Sequence, residues 1–464
     1  MKTNVKKPSV FKTAPASARV AGGAGAVADK ITAELQLRRC VMACLLWEDL
    51  AYENGKSVTD TIKNTIPLVD AEIVSQIAIE AREKSKLRHV PLYIVRVMAS
   101  LPTHKHLVAH TLERVIQRAD ELAEFLAIYW KEGKTPISNQ VKKGLAKAFL
   151  KFNEYSLAKY NREGDIKLRD VLFLCHARPI GEDQANLWKR LINNELAIPY
   201  TWEVELSSGK DKTEVWTSLL EKNALGPLAL LRNLRNITEA KVDVNLVRKS
   251  IRGANPEKLL PFNFVTAVKY APQYQGELEH LMFKCLSQFE KIKGKTVFVV
   301  DVSGSMGAQL SSKSELSRLD AAAALTMLMR EICEEPIIYA TAGSDGQRKH
   351  KTELVPLKRG FDLSNEISKT QFSKLGGGGI FLSQCTKHIE AIEKDCDRLI
   401  VFSDSQDCDY TRDPNSAAAF GKYNYLIDIS AHTKGVAYKK FTHIDGFSEA
   451  VITYIQASEK TNNQ

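Results

Sequence analysis

The sequence predicts a multidomain protein of two structural classes: a helical-repeat region over residues 30–290, then a doubly wound α/β domain over residues 295–457. Two observations lead to this prediction. From residue 30 onward, apolar residues recur at helical spacing in segment after segment. After Gly294, continuous apolar runs alternate with helical patterns. Residues 1–29 are predicted to form a flexible basic tail, and residues 458–464 a short C-terminal tail.

The helical region shows a period near 3.6 residues in successive segments separated by short breaks. Residues 31–55 carry this pattern and are predicted to stop at Gly55, and residues 69–86 and 106–130 repeat it. Many amphipathic helices with short connections indicate paired helices that stack as an α-solenoid, although no fixed sequence period is visible.

The C-terminal region alternates strands and helices. Strands are predicted in residues 295–300, 336–343, 351–357, 397–405 and 423–430, and helices in residues 317–335, 380–394 and 446–458. Because each strand is a continuous apolar run, we expect a parallel sheet covered on both faces. Ligands of such folds bind at the carboxyl ends of the strands.

Composition and charge limit the classes of function that this protein can have. The chain has 464 residues and a formal net charge of +10, and its composition, 44% hydrophobic and 26% charged, is that of a globular protein. Residues 1–290 contain 43 Lys and Arg against 33 Asp and Glu, whereas residues 291–464 contain 22 of each. The whole excess therefore lies in residues 1–290, that is, in the basic tail and the helical region together, and this part of the chain could meet a polyanion. Eight cysteines without a CxxC pair and no apolar run of transmembrane length favour a cytoplasmic location, with no membrane partner.

Basic residues recur in the middle of the helical region, and they form the candidate polyanion-binding set. Lysines four residues apart form a slanted stripe on a helix, and Tyr155 and Tyr160 offer stacking faces nearby. The simpler interpretation is a solvated helix face. The candidate residues are Lys143, Lys147, Lys151, Lys159, Arg162, Arg169, His176 and Arg178.

A second candidate site follows the first strand of the α/β region. Asp301, Ser303 and Ser305 form a D-x-S-x-S turn, and Asp404 follows a later strand. These oxygen donors suit Mg²⁺, with Mn²⁺ or Ca²⁺ as alternatives. Residues 295–457 resemble a von Willebrand factor A domain with its metal-ion-dependent adhesion site. That family adds a threonine from a glycine loop, but the corresponding residue here is Gly379, so the site lacks one ligand. The alternative is a vestigial site whose Ser and Asp side chains only cap turns.

Several separated blocks of the helical region resemble the TROVE module of the Ro autoantigen family. The blocks are AELQLRRCVMACLLWEDLAYENG, AREKSKLRHVPLYIVRVMA, KLRDVLFLCHARP, TWEVELSSGKDK and GPLALLRNLRN. The resemblance implies a ring of HEAT-like helical repeats followed by the von Willebrand A-like domain, as in a bacterial-type Ro protein. It further implies that Y-like noncoding RNAs bind the outer ring surface and that single-stranded ends of misfolded RNAs enter the hole. Lys159 and His176 match basic and His positions of the family's Y RNA-binding segment, and Arg162 matches less closely.

The sequence is compatible with two functions from different classes. The first is a monomeric RNA-binding protein without catalysis, acting in RNA quality control, processing or stress response, with an exoribonuclease such as polynucleotide phosphorylase as a partner implied by the resemblance. The second is a metal-dependent protein-interaction module that uses the adhesion-type site. A metal hydrolase is disfavoured because no general base accompanies the D-x-S-x-S turn.

Overall fold

The structure is a computed structural model. It describes residues 32–43, 55–310, 316–344, 346–370, 375, 379–404, 408–409, 417–429, 440–445 and 450–462. The basic tail predicted over residues 1–29 lies outside these residues, as do Gly376, Gly377 and Gly378 of the glycine loop. Within the described part of the chain, every helix is too short or too polar to cross a bilayer.

Helices with short connections make up the described residues between 33 and 286. Several begin at side-chain caps, such as Ser138, Asp211 and Asp243, whose oxygens accept backbone N–H groups of the first turn. The helices are α1 (Ala33–Ala43), α2 (Gly55–Thr65), α3 (Ala71–Glu83), α4 (His89–Ser100), α5 (Val108–Val115), α6 (Asp120–Tyr129), α7 (Asn139–Phe149), α8 (Glu154–Tyr160), α9 (Leu168–Cys175), α10 (Glu182–Asn193), α11 (Trp202–Ser207), α12 (Lys212–Glu221), α13 (Pro227–Glu239), α14 (Val244–Arg252), α15 (Phe262–Tyr270) and α16 (Gln275–Leu286).

These helices stack with a two-helix repeat. Helices α3, α5, α7 and α9 pack in succession, α4 packs on α6, and the later helices repeat the arrangement through α12, α14 and α16. Except for α11, which packs on α12, each of these helices therefore packs on a helix two places along the chain, as in an α-solenoid. The expected solenoid is present.

One detail of the helical prediction is wrong, and one segment with the helical pattern is divided in two. Gly55 does not end a helix but begins α2. Residues 106–130 form two helices, because the chain leaves the helical conformation at Ile116 and re-enters it at Asp120. The buried Glu121 carboxylate holds this corner: it accepts the N–H groups of Gln117 and Arg118 at 2.8 and 3.0 Å, and it pairs with Arg82 at 2.7 Å.

The C-terminal region forms one sheet with helices on both faces. The elements are β1 (Ile292–Asp301), α17 (Arg318–Ile332), β2 (Cys333–Ser344), β3 (Lys349–Leu354), α18 (Gly360–Thr370), α19 (Leu382–Ile392), β4 (Arg398–Ser403), β5 (Tyr423–Asp428), β6 (Thr442–Asp445) and α20 (Ala450–Asn462). The strands lie in the order β3-β2-β1-β4-β5-β6, so β1 occupies the switch point between β2 and β4.

The predicted doubly wound sheet is present, but it is mixed rather than wholly parallel. Strand β3 runs antiparallel to β2, because only a short connection separates Ser344 from Lys349 and a parallel pairing needs a long crossover. The helix predicted to extend to residue 335 ends at Ile332, and β2 begins at the next residue, Cys333. Helix α18 and strand β6 were not predicted from the sequence.

Apolar side chains form two large cores and a smaller third core on the other face of the sheet, and the boundary between the two large cores does not fall between the helical and α/β regions. The first core comprises buried residues from Leu37 to Leu191. The second joins α12–α16 to one face of the sheet, and α17 is buried almost all round within it. The alanine-rich sequence of α17 suits this position, since small side chains allow the sheet and the neighbouring helices to approach closely.

The first and last described helices meet. Helix α1 contacts α20, and its Leu35 lies in the second core with Ile452 and Ile455, whereas its Leu37 lies in the first core. Helix α20 continues to Asn462, so residues 458–462 are helical and not the tail that the sequence predicts. Ion pairs explain the extension: Glu459 pairs with the buried Arg398, and Lys460 pairs with Glu290 at 2.8 Å.

Candidate nucleic-acid interface and candidate metal centre

Helix α7 presents the first two candidate lysines to solvent. Its buried face consists of Val141, Leu145 and Ala148, which pack into the first core. Lys143 and Lys147 lie on the opposite, exposed face. Lys147 lies 3.4 Å from the Glu113 carboxylate at the end of α5.

Lys151, the third lysine of this series, has a different environment. Its Nζ donates hydrogen bonds to the backbone carbonyls of Glu113 and Ile116, at the carboxyl end of α5. These are carbonyls that a helix end leaves without an internal partner, and a cation is favoured there by the helix dipole. Burial of the ammonium group lowers the pKa of Lys151. The side chain is therefore part of the α5–α7 packing.

Helix α8 carries Lys159, and Arg162 follows it. Arg162 is exposed, and Lys159 is half-buried with its Nζ 5.8 Å from the centre of the Tyr160 ring. The Arg118 guanidinium lies 4.6 Å from the centre of the same ring. The sequence proposes Tyr160 as a stacking face, but these cation–π contacts already occupy the ring. Tyr155 is exposed.

The remaining candidates lie on α9 and after it. Arg169 is partly exposed, with its Nε 4.0 Å from the Asp170 carboxylate. His176 ends the helix in the left-handed conformation, with a φ of 53°, a region that histidine tolerates better than most residues. Because the chain turns there, the His176 ring and the following Arg178 side chain both reach solvent.

The structure thus divides the eight candidates into two groups on neighbouring helices. Helix α7 packs directly on α9. Lys143, Lys147 and Lys151 belong to α7 and its carboxyl end, and the other five belong to α8, α9 and the adjoining loops.

Sequence reasoning missed Phe173. Its side chain is 58% exposed on α9, four residues after Arg169 and three before His176, and Leu174 and Ile180 are exposed close by in the chain. In the sequence VLFLC it reads as one more core residue. The helical period contains the missing signal: Leu168, Val171, Leu172 and Cys175 form the buried stripe and leave Phe173 on the other face.

The D-x-S-x-S turn lies at the carboxyl end of β1, as the sequence predicts, and β4 ends beside it. Asp301 is fully buried; its carboxylate accepts hydrogen bonds from the Ser303 N–H at 2.9 Å and from the Ser403 hydroxyl at 2.8 Å. The hydroxyls of Ser303 and Ser305 lie 3.2 Å apart. Burial, and then the negative charge of Asp404, raise the pKa of Asp301 to about 7.

A positive side chain lies among these groups. The Arg318 Nη1, from the first turn of α17, lies 2.7 Å from an Asp404 carboxylate oxygen and 3.5 Å from the Ser305 carbonyl. Asp404 is fully buried, and the Arg318 side chain is only 15% exposed. Nothing in the motif indicates this arginine, which is 86 residues away from its partner along the chain.

The donor set does not fit a divalent cation well. The oxygens are of the right kind, but Gly379 has no side chain to act as a ligand, and the guanidinium already lies against one of the two carboxylates. Magnesium requires near-octahedral oxygen coordination at short distances, and a fixed positive charge beside it opposes binding. Across the described residues, His, Cys, Asp and Glu side chains form no cluster of three or more suited to a metal.

Comparison with known proteins supports the resemblance that the sequence indicates. A solenoid of paired helices that continues into a doubly wound α/β domain is the architecture that the resemblance to the Ro family implies. Residues 192–269 match the TROVE domain family. This matched segment lies after the eight candidate residues.

The whole fold is similar to that of one solved Ro protein. The crystal structure of Deinococcus radiodurans Ro (RSR) protein covers 92% of this chain and 99% of its own, with a TM-score of 0.64 and 15% sequence identity. No curated protein matches the chain. The resemblance to the Ro family and the fold class predicted from the sequence are therefore confirmed.

Proposed function

We propose that the protein binds structured noncoding RNA through the surface of α7, α8, α9 and the loop to Ile180, and that it acts without catalysis. The observation that supports this most directly is the combination of exposed cations with an exposed aromatic side chain. Arg162, His176 and Arg178 face solvent in the same stretch of chain as Phe173. Guanidinium groups suit phosphates, and an exposed ring can stack on a base. The TROVE match and the Ro-like fold support the same proposal.

The finer role is that of a Ro protein in the cytoplasm. By resemblance, Y-like RNA binds this outer surface, and single-stranded ends of misfolded RNA enter the centre of the helical ring. The protein then serves RNA quality control, processing or stress response, with an exoribonuclease as its partner. The net charge of +10 on residues 1–290 favours such polyanionic partners.

Salt dependence tests the RNA proposal. If about four cations contact phosphates, raising salt from about 50 to about 200 mM weakens binding on the order of 100-fold, because counterions are released on association. Fluorescence anisotropy with a labelled structured small RNA measures this. A flat salt response or no binding overturns the proposal.

Variants locate the binding surface. His176→Ala and Lys159→Ala are expected to weaken binding, whereas Lys387→Ala, an exposed lysine of α19 in the α/β domain, serves as the charge-matched control for the lysine variant. Asp301→Ala is expected to matter less than either. Equal losses in all four variants would move the RNA surface elsewhere.

A further inference from the structure

The polar turn of the α/β domain contains a cation that belongs to the chain. Arg318 is the first residue of α17, directly after the Ser317 cap, and its side chain reaches across to Asp404 at the end of β4. The same Nη1 approaches the Ser305 carbonyl of the D-x-S-x-S turn. One guanidinium therefore joins the two strand ends that a metal ion would have to join.

This position is electrostatically costly unless the carboxylate compensates it. The amino end of a helix is its positive end, so a cation on the first turn is disfavoured there. A buried carboxylate is also costly without a partner, and Asp404 is fully buried. Each group relieves the cost of the other, and a guanidinium keeps its charge at every physiological pH.

The remaining oxygens are used within the protein. The Asp301 carboxylate accepts from Ser303 and Ser403, and the Ser303 and Ser305 hydroxyls contact each other. The threonine hydroxyl that would complete a metal shell is missing, because the residue at its place is Gly379. Loss of one ligand and gain of one fixed positive charge both act against a divalent ion.

We propose that Arg318 is the resident cation of this site and that the α/β domain binds no divalent metal there. The turn is then an adhesion-type site in which a guanidinium replaces the metal. Because Arg318 supplies the positive charge of the site, this charge does not depend on the Mg²⁺ concentration or on chelators.

The test uses the full chain and Mn²⁺ as the probe. Electron paramagnetic resonance titration of the wild-type protein should show no saturable Mn²⁺ site, and the melting temperature in Mg²⁺ should equal that in EDTA to within about 1 °C, since a ligand that does not bind the native state cannot stabilise it. Saturable Mn²⁺ binding that Ser303→Ala abolishes overturns the proposal.

Arg318→Ala removes the guanidinium and leaves Asp301, Ser303 and Asp404 in place. This variant should gain a Mn²⁺ site, and Mg²⁺ should raise its melting temperature by several degrees. Arg330→Ala on the same helix is the matched control and should gain no site, because Arg330 pairs with Glu331 instead. Adding Asp404→Asn to Arg318→Ala should remove the gained site. If Arg318→Ala does not fold, the wild-type titration decides the matter alone.

Discussion

Lys143 and Lys151 lie eight residues apart and carry the same charge, but they have different roles in the structure. Lys143 extends from the exposed face of α7, whereas the ammonium of Lys151 binds the last carbonyls of α5. In the sequence both belong to one regular series. Only the packing of α7 on α5 separates a side chain that is free to meet a phosphate from one that closes a helix end.

Replacing each lysine by alanine should separate the two roles. Lys151→Ala is expected to lower the free energy of unfolding by about 1 kcal/mol, because two carbonyl groups lose their charged donor. Lys143→Ala removes the same charge and should leave stability unchanged while weakening RNA binding. Urea denaturation and anisotropy titrations measure the two quantities. Equal stability losses would contradict the assignment of Lys151.

Cysteine reactivity offers a second test at the residue scale. Burial raises the pKa of both Cys175 and Cys333 to about 11, whereas Cys408 is exposed. At pH 8 only about one in a thousand of each buried thiol would be thiolate, and thiolate is the reactive form. Iodoacetamide should therefore label Cys408 in the native protein and should reach Cys175 and Cys333 only after denaturation. Peptide mass mapping would read this out, and rapid native labelling of Cys175 would contradict its burial.

At the level of elements, one helix of the solenoid supplies the cap for a helix of the α/β domain. The Glu279 carboxylate on α16 accepts the Phe361 N–H at 2.9 Å, in the first turn of α18. Gly360 makes this approach possible: its φ is +55°, and a Cβ there would lie 1.7 Å from a Glu279 oxygen. The contact fixes α18 to α16.

Gly360→Ala should therefore destabilise the protein by about 2 kcal/mol, from backbone strain together with loss of the cap. Gly276→Ala on α16 is the matched control, because a Cβ at that position meets no atom within 4 Å. Thermal and urea denaturation compare the two. A neutral Gly360→Ala would mean that the Glu279 cap contributes nothing.

For the whole molecule, the division into two large apolar cores predicts which parts of the protein unfold together. The second core contains Met282 of α16 together with the side chains on one face of β1 and β4, whereas Leu145 of α7 belongs to the first core. The α/β domain should therefore unfold together with the later helices and not as a separate domain.

Hydrogen exchange can follow this cooperativity. Met282→Ala should cost about 2–5 kcal/mol and speed amide exchange in β1, although the substitution lies in the solenoid. Leu145→Ala should cost a similar amount and speed exchange in α5 and α9 first. Unchanged protection of β1 in Met282→Ala would show that the two regions open independently.

Local sequence patterns were enough to predict several strands and the polar turn. Features that depend on contacts between residues far apart in the chain could not be predicted from them. Continuous apolar runs identified β1, β4 and β5, and the polar residues that follow β1 identified the turn at Asp301. Strand β3 is antiparallel because the connection before it is short. The apolar pattern of a strand does not show in which direction the strand runs. The pairing of Arg318 with Asp404 depends on how α17 leaves the turn, and the exposure of Phe173 depends on which face α9 buries.

The contact between α1 and α20 has a consequence for the order of synthesis. Helix α1 is made early, yet the surface around Leu35 finds its partners only when Ile452 and Ile455 have been made. Until then the apolar surface of α1 around Leu35 lacks its contacts with α20. Contacts between residues so far apart in the sequence form slowly. Completion of this fold therefore waits until α20 has been synthesised, and a chain that stalls before α20 would offer chaperones and proteases an exposed α1.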